Sequence, residues 1–158
     1  MTSRKIRIFW AYGSEVVFSS LVLGLLLLFI DTLTLSGFIQ NVASDFATYF
    51  SGIMLAGSVA FLWAFYSKSD TPFSQWLYDK GAFNVYLTAY VSAIAIYALL
   101  TVSLVLSPKL NNEIFSLVTL WLLILGVINL YTFTNNIIRQ LQLNMEFNRR
   151  ARSGNEKP

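Results

Sequence analysis

Only one carboxylate in this chain stands at the edge of a long apolar run where a helix would bury it. Glu15 opens the stretch EVVFSSLVLGLLLLFI, and no further charge appears until Asp31. A carboxylate held inside a membrane can bind a proton or a cationic substrate. One at headgroup level instead pairs with basic neighbours such as Arg4 or Arg7. The residues alone leave both readings open. Asn129, within LLILGVINLYTF, is the strongest hydrogen-bonding side chain placed deep in another apolar run. Asn84, Thr88 and Ser92 step by four along one helical face. Tyr86, Tyr90 and Tyr97, with Ala93, take roughly the opposite one. Ser116, Thr119, Gly126, Asn129 and Asn136 gather on one broad face of the last apolar stretch. Uncharged polar groups at depth need partners, so the faces of Asn84 and of Asn129 are expected to turn inward toward other helices. Glu15, Asn84, Thr88, Ser92 and Asn129 are therefore the candidate contacts for an ion or substrate.

The inventory narrows the chemistry further. The chain has no cysteine and no histidine, which removes thiolate nucleophiles, thiol-rich zinc sites, histidine acid–base work and haem b ligation. An enzyme would have to use Asp, Glu, Ser, Tyr or Lys at one interface, and no paired carboxylates or nucleophile motif appears. A non-enzymatic protein without cofactor or metal site is the expectation.

These residues must be positioned by helices in lipid. Of the 158 residues, 56% are hydrophobic and only 12% charged, about half the charge of a soluble domain. Mean hydropathy is +0.59. Charge-free runs lie between Glu15 and Asp31, Asp45 and Lys68, Lys80 and Lys109, and Glu113 and Arg139. A bilayer core about 30 Å thick needs roughly 20 helical residues. The runs lack the alternation of strands, and open strand edges cannot face lipid. The sequence therefore predicts an all-α integral membrane protein, a four-helix bundle with transmembrane helices at about 9–31, 47–67, 82–107 and 114–138. The segment from Leu33 to Phe46 has roughly helical spacing and suits a short interfacial helix. The first helix has a basic flank but no convincing cleavage site, so it reads as a retained signal anchor.

Lysine and arginine divide ten to one between the two sides, with Lys109 alone against the termini and the loop carrying Lys68 and Lys80. The positive-inside rule then places both termini in the cytoplasm, in what reads as a bacterial inner membrane. The net charge of +3 is a topology signal and not a nucleic-acid footprint. Residues 139–158 form a basic cytoplasmic tail, a helical extension followed by a disordered end. Its Arg139, Arg149, Arg150 and Arg152 suit anionic lipid or a cytosolic protein partner. The loop bearing Thr71, Pro72, Phe73 and Trp76 is apolar enough to be a second docking element. Gly52, Ala56, Ala60 and Ala64 make a small-residue ladder that fits either a homo-oligomer interface or packing within the chain.

By size and topology alone, the chain is similar to small four-helix membrane subunits encoded beside soluble partners in bacterial defence or transport operons. The reading that follows is a self-associating membrane subunit that engages a cytoplasmic partner. The alternative is a small ion channel or proton-coupled transporter using Glu15 and inward polar faces.

Overall fold

A computed structural model describes residues 2–155, with side chains described from 13 to 152. The basic flank of Arg4, Lys5 and Arg7 and the tail beyond Arg152 fall outside the described side chains. Every described element is helical: α1 (Thr2–Phe29), α2 (Thr32–Asp45), a π-helical segment (Phe46–Gly52), α3 (Ile53–Tyr66), α4 (Pro72–Asp79), α5 (Phe83–Leu110) and α6 (Glu113–Asn155). Three helical stretches, Thr32–Tyr66, Phe83–Leu110 and Glu113–Arg152, are long and apolar enough to cross a membrane, and Gly13–Phe29 is a shorter apolar helix.

The turns are written in local chemistry. Asp31 is extended (φ −67°, ψ 154°) and its carboxylate accepts from the Thr34 N–H at 3.3 Å, capping α2. Hydrogen bonding from the Thr34 side chain is the main cause holding that exposed carboxyl below its ordinary range. Between α5 and α6, Asn111 takes the left-handed conformation (φ 45°) that asparagine tolerates. Asn112 then accepts from the Phe115 N–H at 3.0 Å to start α6. At the opposite end Thr71 caps α4 and Pro72 fills its first turn. The apolar loop expected there is thus itself a helix.

The segment expected as a separate interfacial helix is continuous with the next span. Asp45 (φ −68°, ψ −45°) and Gly52 (φ −64°, ψ −45°) both keep helical dihedrals, so α2, the π segment and α3 form one 35-residue helix. Neither proline nor a side-chain cap interrupts residues 32–66; Asp45 breaks the apolar run but not the backbone. At about 1.5 Å per residue this helix is ~52 Å long, more than a bilayer core requires. Gly52 has a role inside it. A Cβ there would lie 2.9 Å from the Ala47 carbonyl oxygen, so the π turn itself favours glycine.

α5 packs against both the 32–66 helix and α6, which also meet each other through α2, and its buried face is Tyr86, Ala89, Tyr90, Ala93, Tyr97, Leu100, Leu104 and Ser107. Aromatic edges join the three helices: Phe65–Tyr90 at 5.4 Å, Tyr90–Phe133 at 5.7 Å and Phe50–Tyr97 at 6.2 Å between centroids. This corrects one expectation. Asn84 and Thr88 are exposed and Ser92 is half-buried, so that polar face points away from the bundle. The tyrosine face buries far more surface, and Thr88 satisfies its hydroxyl on its own helix, donating to the Asn84 carbonyl at 2.8 Å. The inward turn expected of α6 does occur: Ser116, Thr119, Gly126 and Asn129 are buried, and Asn136 is half-buried.

α1 packs chiefly on α6. The most apolar stretch of the 32–66 helix is only 11% buried, against 33% in α5 and 39% in α6, so lipid or another protein must cover it.

Candidate functional site

The polar centre of the bundle lies where α1 meets α6. Along α1, Glu15 and Ser19 are buried one turn apart, while Val16, Val17, Phe18 and Leu21 are exposed. The helix thus turns its one described carboxylate away from the apolar face. Glu15 is 5% and Asn129 3% exposed, and the Asn129 Nδ2 donates to Glu15 Oε2 at 3.0 Å. Phe29 lies fourteen residues on from Glu15. That is ~21 Å of helix, so a 30 Å core reaching Phe29 would leave Glu15 well inside it. Glu15 is therefore buried within the helix bundle.

Two atoms of this pair are left over. Glu15 Oε1 and Asn129 Oδ1 are buried without a hydrogen-bond partner among the described residues. Both are acceptors when Glu15 is ionised. Orphaned buried acceptors are costly, about 1–3 kcal/mol each in typical cases, and call for a specific reason. Tyr97 of α5 completes the neighbourhood. Its hydroxyl donates to the Gly126 carbonyl at 3.2 Å, one turn of α6 from Asn129. Gly126 also leaves room for Leu100, because a Cβ there would sit 2.9 Å from Leu100 Cδ2, while the Tyr97 ring would be in ordinary contact at 3.7 Å. Farther along, the Trp121 indole N–H donates to Ser20 Oγ at 3.1 Å, a second polar tie between α1 and α6.

Toward the Asp31 and Asn111 turns, hydroxyls and an amide replace the carboxylate. Gln40 donates to Ser116 Oγ at 3.0 Å, and Ser107 and Ser116 share a 3.1 Å hydrogen bond. Thr101 donates to Ser51 Oγ at 3.0 Å. These groups have partners, unlike the left-over oxygens of Glu15 and Asn129.

Other predicted positions fall elsewhere. Ala56, Ala60 and Ala64 are exposed on the 32–66 helix, and Ala64 borders a groove shared with Ile137 and Gln140 of α6. Asn41, Asp45 and Thr48 are exposed on the same helix, a polar continuation that sequence reasoning missed. Its signal was the spacing of four and three, concealed because that segment was read as a connection. Arg139, Arg149, Arg150 and Arg152 are exposed along the far half of α6, and Arg150 pairs with Glu146. At that end α6 and α4 frame a groove of about 490 Å³, bordered by Phe65, Lys68, Phe73, Gln140 and Phe147. Phe73 and Trp76 both meet the Phe147 ring at 5.8 Å. Tyr90 donates to Gln140 at the same level.

Among known families, curated proteins and solved structures, none matches this chain.

Proposed function

We propose that this chain is a small, non-enzymatic inner-membrane protein that crosses the bilayer four times, self-associates, and engages a cytoplasmic partner. The observation that carries this reading is the open face of the 32–66 helix. Asn41, Asp45 and Thr48 are exposed on it, and Ala56, Ala60 and Ala64 continue along it. Charged and amide groups are costly against hydrocarbon, and small residues let a second backbone approach closely. A second copy answers both needs at once. The ten-to-one division of basic residues supports cytoplasmic termini. The exposed arginines of α6 and the aromatic groove against α4 then lie on the cytoplasmic side, available to anionic lipid and to a protein partner.

The chain contains no cysteine, so single replacements report cleanly. Ala60→Cys in native membranes should give an oxidant-dependent dimer, whereas Leu99→Cys, on the exposed face of α5, should not. Monomer from both in membranes would contradict self-association. Gentle solubilisation should also return a stoichiometric soluble protein.

A second reading, a channel or proton-coupled carrier, is favoured by one specific observation, the buried Glu15–Asn129 pair with its two unmet oxygens. It expects Glu15→Gln to change flux in proteoliposomes. Equal flux in wild type, variant and empty vesicles would remove it.

A further inference from the structure

We propose that Glu15 carries a proton within the bundle and that its carboxylic acid forms a two-bond pair with the Asn129 carboxamide, making the α1–α6 contact a proton-binding site. The inference deepens the second reading above by naming the bound species, and it stands whether or not the proton is transported.

Two atoms of the pair lack partners among the described residues. One hydrogen bond of the pair is in place, from Asn129 Nδ2 to Glu15 Oε2 at 3.0 Å. What remains is one acceptor on each side, Glu15 Oε1 and Asn129 Oδ1, both buried. An ionised carboxylate has nothing to donate to the amide oxygen, whereas a carboxylic acid has one O–H. A single proton on Oε1 thus turns two orphan acceptors into one donor and one acceptor, and the acid and amide close on each other through two bonds. The step balances simply: a hydronium ion gives its proton to Oε1 and leaves as water, and no other bond changes.

The surroundings point the same way. No basic residue lies on α1 from Gly13 to Phe29 or on α6 between Glu113 and Arg139, so among the described residues neither helix offers a cation near Glu15 in sequence. From α5 the titratable group nearest this region is Tyr97, whose hydroxyl proton is engaged by the Gly126 carbonyl. Tyr131 of α6 is 74% exposed and points away. A metal cation fits less well. Hard cations such as Ca²⁺ and Mg²⁺ take six or more oxygen ligands, and this pair has two oxygens to give. One proton meets the deficit completely.

The full chain in lipid bilayers is examined by infrared spectroscopy at pH 7, as wild type, Glu15→Gln and Asn129→Leu. A protonated-carboxyl C=O band is expected in wild type, absent in Glu15→Gln and displaced in Asn129→Leu, where its amide partner is gone. Only carboxylate bands in wild type at pH 7, a protonated band that survives Glu15→Gln, or one abolished by sodium at constant pH would each overturn the proposal. Stability gives a second readout. Glu15→Gln supplies the missing hydrogen permanently through its amide N–H, so it should resist unfolding at least as well as wild type, while Glu15→Ala should not. A less stable Glu15→Gln than Glu15→Ala contradicts the proton pair. If the band is present but proteoliposomes show no proton flux, the site stands and the carrier reading falls.

Discussion

α5 and α6 each carry a row of uncharged polar residues, and the bundle treats the two rows in opposite ways. Asn84 and Thr88 of α5 face outward, while Ser116, Thr119 and Asn129 of α6 are buried. Residue type does not separate them, since both rows mix asparagine with hydroxyls. The far face of each helix does. Behind the α5 row stand Tyr86, Tyr90 and Tyr97, whose rings fill the space between three helices. Flanking the α6 row are Ile114, Val118, Val127 and Ile138, all exposed and suited to lipid. A hydroxyl can turn back onto its own helix, as Thr88 and Thr119 both do at 2.8 and 2.9 Å. Threonine at depth is therefore weak evidence for an inward face. A carboxylate or amide has more bonding capacity than its own turn can absorb, and Glu15 and Asn129 meet across a helix boundary instead.

The difference can be broken by substitution, with stability followed by unfolding in mixed micelles. Gly126→Leu should have the largest effect, about 3 kcal/mol, because its side chain would collide with Leu100 beside Tyr97 and Phe50. Asn129→Leu should cost about 2 kcal/mol by leaving buried Glu15 without its amide partner. Gln40→Leu removes the tie to Ser116 and should cost about 0.6 kcal/mol, the usual worth of an interhelical hydrogen bond in a membrane protein. Thr88→Val, on the outward row, should change stability by less than about 0.5 kcal/mol. If Thr88→Val proved as damaging as Asn129→Leu, the two rows would not differ as described.

Helical membrane architecture was legible because charge-free runs of this length have few other uses. Helix ends were less so. The stretch before Asp45 contains polar residues at every turn, and hydropathy cannot distinguish a loop from a helix whose polar face awaits another surface. The inward face of α6 followed from the need of polar groups at depth for partners, whereas the same rule misjudged the α5 row by weighing threonine and asparagine above three tyrosines. Glu15 and Asn129 were each visible as unusual residues in apolar surroundings. That they touch was not visible, because periodicity within a helix carries no information on the register between two helices.

The central claim is that α1 lies on the polar face of α6 in the membrane. Ser20→Cys combined with Trp121→Cys, in a chain otherwise free of cysteine, puts one thiol on each helix at the level where the indole now meets the hydroxyl at 3.1 Å. A bifunctional thiol reagent about 8 Å long should link this pair within one chain in native membranes and should not link Ser20→Cys with Thr88→Cys. A link absent from the first pair, or formed equally in both, would contradict the placement of α1.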